Sequence, residues 1–200
     1  MEYINHRVNT REELLKTPVE YGVELDLRDD INGKIYIQHN PYTPGEDFEE
    51  YLKYYRHGTM ILNVKSERIE HRILELIKES NVKSYFFLDS TFPMIKLLSD
   101  NGERNIAVRY SEYEGIDTLK NMAGKIDWVW VDTFTKLPIN NIIYKEIKKM
   151  GYKICLVSPE LQAQPEKIKI YAEQIKSENM EFDAICTKEY NINLWKTLLG

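Results

Sequence analysis

The sequence predicts a small (β/α)8 TIM barrel, an α/β fold with local irregularity, formed by residues 1–200 as one domain. Three observations point there. Short apolar runs alternate with amphipathic segments eight times along the chain, the pattern of parallel strands joined by helices. Almost every apolar run ends on a residue able to do chemistry, as strands do where they open onto a barrel mouth. No Gly-rich phosphate loop of the GxGxxG or GxxxxGK(S/T) kind occurs, which argues against an open, doubly wound nucleotide-binding sheet.

Taken in order, EYINHR (2–7) is the first strand candidate and TREELLKT (10–17) the first helix. VELDLR (23–28) and KIYIQH (34–39) flank a turn at Asn32-Gly33 and read as a hairpin-like excursion that counts as one barrel position. EDFEEYLKYY (46–55) reads as helix and TMILNVK (59–65) as the third strand. In ERIEHRILELIKES (67–80), Ile69, Ile73, Leu76 and Ile77 recur at helical spacing. The alternation then continues through SYFFLD (84–89), PMIKLLSD (93–100), NIAVRY (105–110), GIDTLKNM (115–122) and DWVWVD (127–132). INNIIYKEIKKM (139–150) stops at Gly151, behind the basic Lys148 and Lys149, as helices do. YKICLVS (152–158), EKIKIYAEQIKSE (166–178), DAICTK (183–188) and NLWKTLL (193–199) complete the series.

Composition narrows the function. A hydrophobic content of 42% with 30% charged residues is that of a globular protein, and a formal charge of −5 leaves no footprint for nucleic acid. No apolar segment approaches the ~20 residues that span a bilayer. MEYINHRVNT lacks the apolar core of a signal peptide, so the expected location is the cytoplasm. Cys155 and Cys186 lie in apolar runs and are expected to be reduced packing residues. The same reading makes Trp128 and Trp130 packing residues, His57 and His71 exposed, and Glu112 and Glu114 loop charges.

The chemistry concentrates in Gly22–Pro41. Glu24 and Asp26, two apart on a strand, share one face and can converge on one ion or one substrate. His6 and Arg7 close the first strand, His39 closes the hairpin, and Asn63 and Lys65 share a face of the third strand. Asp89, Arg109, Asp132, Glu160 and Lys188 follow at later strand ends as possible additional site residues. Two histidines around a carboxylate pair suit phosphodiester chemistry, in which one base activates a nucleophile and one acid protonates the leaving oxygen. A divalent cation on Glu24 and Asp26 would offset phosphate charge, while Arg7 and Lys65 would hold non-bridging oxygens.

These residues resemble the glycerophosphodiester phosphodiesterase (GDPD) family, within the phospholipase-C-like (PLC-like) phosphodiesterase barrels. His6-Arg7, Glu24-x-Asp26, His39-Asn40 and Lys65 carry the likeness, which is clear over residues 4–65. The resemblance implies a hydrolase of lipid metabolism acting on a small glycerol- or polyol-phosphodiester. It also implies Mg2+ or Ca2+ on the Glu-x-Asp pair and His6 and His39 as general acid and base. Departures stand out equally. Val8-Asn9-Thr10 replaces the family's longer Gly and Pro-Glu-Asn-Thr segment. Any substrate-covering insertion is confined to residues 40–56. Asn63 stands where the family has a ligating Glu, an exchange that weakens the cation site or calls on another carboxylate such as Asp89. The same exchange motivates an alternative, a catalytically impaired phosphate-binding barrel with a regulatory role. Schiff-base chemistry at Lys65 or Lys188 is a third reading.

Overall fold

The computed structural model describes residues 1–200. Its first half comprises β1 (Glu2–Asn5), α1 (Arg11–Lys16), β2 (Gly22–Asp29), β3 (Ile35–Ile37), β4 (Glu46–Asp47), α2 (Phe48–Leu52), β5 (Met60–Val64), α3 (Glu70–Glu79), β6 (Tyr85–Leu88) and α4 (Phe92–Asp100). The second half comprises β7 (Ala107–Tyr110), α5 (Ile116–Met122), β8 (Trp128–Val131), α6 (Asn141–Lys149), β9 (Lys153–Val157), α7 (Lys167–Ser177), β10 (Ala184–Thr187) and α8 (Glu189–Leu199). No helix is long and apolar enough to cross a membrane.

The parallel ladder runs β6–β5–β2–β1–β10–β9–β8–β7, so first and last strands are neighbours, the mark of a barrel. Between β6 and β7 the circuit is completed by one parallel bridge, Phe87 to Ile106, and not by a full ladder. That seam is the irregularity of this barrel. The hairpin-like excursion is a flap in which β3 pairs antiparallel with the far end of β2, and β4 with β3. Residues 46–47, expected to begin a helix, instead form this edge strand, and Asp47 caps the short α2 behind it.

Strand periodicity sorts the side chains into two cores. Outward positions such as Val23, Leu25 and Leu62 join the helices in a cluster of 47 buried residues. Inward positions form a second cluster of 11 that plugs the lower barrel, including Ile4, Ile61, Phe86, Trp128 and Cys155. Phe86 and Trp128 stack there with centroids 4.5 Å apart, and both cysteines are free and buried, the packing roles the sequence indicates. One step further along the inward faces, chemistry changes. Ile4 gives way to His6, Ile61 to Asn63, Ala107 to Arg109, Trp130 to Asp132 and Cys186 to Lys188. The apolar plug is the floor of a polar mouth.

Gly22 sets how closely β1 and β5 flank β2. A Cβ there would meet the Thr59 carbonyl oxygen at 2.5 Å and Ile4 Cγ1 at 2.9 Å. Gly22→Ala is therefore expected to lower the denaturant midpoint, with unchanged slope, by an amount worth about 1–3 kcal/mol.

Candidate active site

The Glu24–Asp26 pair lies at the bottom of the mouth, each residue 1% exposed. Burying two carboxylates side by side demands donors, and the chain supplies them from three directions. Asn63, opposite Asp26 on β5, donates its amide to Glu24 Oε1 at 2.7 Å. Arg7, at a left-handed φ of 60°, turns the chain out of β1 so that its backbone N–H meets Glu24 Oε2 at 2.8 Å. Its guanidinium Nε lies 3.5 Å from Asp26 Oδ2. Asn9 makes a reciprocal pair with Asp26, donating to Oδ2 at 2.9 Å and accepting from the Asp26 N–H at 3.0 Å.

His6 sits against this pair, its Nε2 3.6 Å from Glu24 Oε2. Burial drives the imidazole down to about 3, helped by the charges of Lys188, Arg7 and Lys65 and by His39. Burial likewise lifts Glu24 to about 7, with the Asp26 charge adding and the Asn63 and Arg7 donors opposing. His6 is thus neutral at working pH, and its contact with Glu24 is not an ion pair. Lys188 is drawn over β1 by donating to the His6 carbonyl oxygen at 2.9 Å.

His39 stands just past β3, half-buried, with Nδ1 2.9 Å from Asn40 Oδ1. Because an amide oxygen only accepts, Nδ1 carries the proton and Nε2 is left for a ligand. Arg28, on the same face of β2 as the carboxylates, holds this loop in place. It donates to the His39 carbonyl oxygen at 2.8 and 3.2 Å and to that of Lys65 at 2.9 Å.

The remaining candidates form a rim. Lys65 Nζ lies 3.6 Å from Asp26 Oδ1 and 3.2 Å from Asp89 Oδ2. Arg109 pairs with both Asp89 and Asp132. Asp132 also accepts from Gln162, from Trp130 and from the Thr133 N–H, which makes it a structural anchor. Glu160 accepts from Ser158, Thr187 and the Lys188 N–H and ties β9 to β10. Asp89, with φ of 60°, turns towards Lys65 and Arg109. His57 is also corrected, since it is half-buried with Nε2 2.9 Å from the Thr17 carbonyl oxygen.

A hard cation fits the central group. Asp26 Oδ1 and Asn63 Oδ1 are buried acceptors with no hydrogen-bond partner, and Glu24 stands beside them. The set amounts to two carboxylates and one neutral amide, with no cluster of three His, Cys, Asp or Glu side chains. All-oxygen donors are of the kind hard divalent cations take, with one negative charge fewer than three carboxylates would bring.

Sequence reading missed Asn9 and the positioning role of Arg28. Asn9 had a signal available: it directly precedes Thr10-x-x-Glu13, a capping box in which Thr10 accepts from the Glu13 N–H and Glu13 accepts from the Thr10 N–H. That box fixes the turn from which Asn9 reaches Asp26.

No protein-family model and no curated protein matches the sequence. Solved structures do match the fold. A glycerophosphoryl diester phosphodiesterase from Parabacteroides distasonis superposes with a TM-score of 0.70 at 12% identity, over 99% of this chain and 86% of that one. A glycerophosphodiester phosphodiesterase from Agrobacterium tumefaciens gives 0.64 at 15% identity, over 93% and 96%. A second A. tumefaciens protein assigned to the same activity gives 0.71 at 13% identity, over 98% of both chains. This chain therefore has the glycerophosphodiester phosphodiesterase-like barrel fold.

Proposed function

We propose that this chain is a cation-assisted phosphodiester hydrolase acting on a small glycerol- or polyol-phosphodiester. The observation that carries this reading is a half-buried His6 3.6 Å from Glu24, beside two buried acceptors without partners, Asp26 Oδ1 and Asn63 Oδ1. Glu24, Asp26 and Asn63 are the residues that would hold Mg2+ or Ca2+. When bound, the cation would neutralise phosphate charge.

His6, kept neutral by its surroundings, takes the proton of the attacking hydroxyl or water at Nε2, the ring nitrogen that faces the carboxylate pair. His39, oriented through Nδ1 by Asn40, acts in its doubly protonated form, in which Nδ1–H stays on Asn40 and Nε2–H is given to the leaving oxygen. Arg7 and Lys65 line the approach to the carboxylates and hold the non-bridging oxygens, Arg7 through its exposed guanidinium. Lys188 and Arg28 position the two histidine-bearing loops through their carbonyl oxygens. Arg28→Met is expected to lower kcat and raise KM together, because it releases the backbone carbonyls of both His39 and the phosphate-holding Lys65; steady-state kinetics on a glycerophosphodiester checks this.

A second reading, a phosphate-binding barrel without turnover, is favoured by the Asn63 amide, which donates to Glu24 where the family has a carboxylate. The experiment that separates the two is hydrolysis of a diester panel with Mg2+ or Ca2+ and again with a chelator. Cation-dependent cleavage supports the enzyme; binding of inorganic phosphate without cleavage supports the relic.

A further inference from the structure

The seam between β6 and β7 opens sideways from the mouth. Leu88 and Ala107 belong to the apolar plug inside the barrel, whereas Val108 and Ile95 belong to the core outside it, yet all four line one cleft of about 450 Å3. Residues from both faces of the sheet meet in this cleft beside the place where the wall is reduced to a single bridge. The cleft lies next to the candidate catalytic group. Lys65 Nζ is 3.6 Å from Asp26 and 3.2 Å from Asp89, and Asp89 and Arg109 form the cleft's inner lip.

The lining states what the cleft accepts. Asp89 is taken by Lys65 and Arg109, Arg109 also by Asp132, and Glu114 by the Ser111 hydroxyl and by Arg109 at 3.8 Å. Each charge in the lining has a partner, Glu114 being the most loosely held, and no cation is left unpaired for an anionic limb. Phe92, half exposed, and Thr118 form the outer edges. Ser90, 9% exposed, lines the cleft with a buried hydroxyl that has no hydrogen-bond partner. A buried hydroxyl left unpaired carries a desolvation cost that a guest oxygen would relieve.

We propose that this cleft is the subsite for one alcohol limb of the diester, and that the limb is uncharged, mainly hydrocarbon, and carries one oxygen in reach of Ser90. The proposal rests on the phosphodiesterase reading above. The limb leaves the phosphate at Lys65 and passes between β6 and β7, so the parted seam selects substrates by the shape and polarity of one alcohol.

Calorimetric binding of simple phosphate monoesters tests this without requiring turnover. The full chain is expected to bind n-heptyl phosphate at least about tenfold tighter than methyl phosphate, since each buried methylene adds roughly three- to fourfold. Thr118→Trp fills the cleft and is expected to abolish that preference while leaving methyl phosphate affinity unchanged; Phe92→Ala, at an exposed edge, is expected to reduce it. Ser90→Ala is expected to weaken butoxyethyl phosphate, which carries an ether oxygen, and to leave n-heptyl phosphate unchanged. Equal affinity for methyl and heptyl esters in the natural chain, or a preference that survives Thr118→Trp, overturns the proposal. Hydrolysis of glycerol methyl phosphate, measured alongside, tests the phosphodiesterase reading separately; its failure sinks that reading while the binding series still decides the cleft.

Discussion

His6→Gln is expected to lower the hydrolysis rate of a glycerophosphodiester by about a hundredfold to ten-thousandfold, the range a positioned acid or base supplies. Glutamine keeps the size and polarity of the side chain but cannot exchange a proton. The contact with Glu24 at 3.6 Å is not an ion pair, so little stability is at stake and the far-UV circular dichroism and thermal midpoint are expected to stay near those of the natural chain. His39→Gln is expected to act on the same scale. The two serve one proton-transfer cycle, and the double variant is therefore expected to lose little more than either single one. A His6→Gln protein retaining a tenth or more of its activity would remove His6 from the reaction.

Asn63→Glu carries the second large effect, and it runs in the opposite direction. The change replaces the amide that donates to Glu24 Oε1 with a third carboxylate. Without a cation, three buried negative groups repel and the thermal midpoint is expected to fall below that of the natural chain. With Mg2+ or Ca2+ in excess, the added charge is expected to tighten binding by about tenfold or more, because ligand charge count tunes such sites. The midpoint then rises with cation concentration more steeply than in the natural chain, as binding to the folded state alone requires. Identical cation-dependent shifts in the two proteins would mean that Asn63 does not face the ion.

The parts of this site that follow a period of two are legible in the sequence. Glu24 with Asp26, and Asn63 with Lys65, share faces because strand side chains alternate, and the apolar residues beneath them mark which face is inward. The barrel is legible for the same reason. What escapes depends on bonds between distant segments. Asn9 meets Asp26 across 17 positions, and Arg28 meets the Lys65 carbonyl across 37, with no spacing rule to announce either. Its place at a strand end makes Asp89 a candidate for the ion, but a left-handed backbone turns it towards Lys65 and Arg109. The parted seam likewise leaves no mark in SYFFLD or NIAVRY, which read as ordinary strands; it depends on where two neighbouring strands stop pairing.

A divalent cation held by Glu24, Asp26 and Asn63 next to a proton-transferring His6 makes hydrolysis depend on both. Hydrolysis of glycerol methyl phosphate by the natural chain and by His6→Gln, each with Mg2+ or Ca2+ and each with a chelator, tests it most directly. Release of a phosphomonoester is expected only from the natural chain with cation present. Cleavage that persists in the chelator, or that His6→Gln performs equally well, would contradict it.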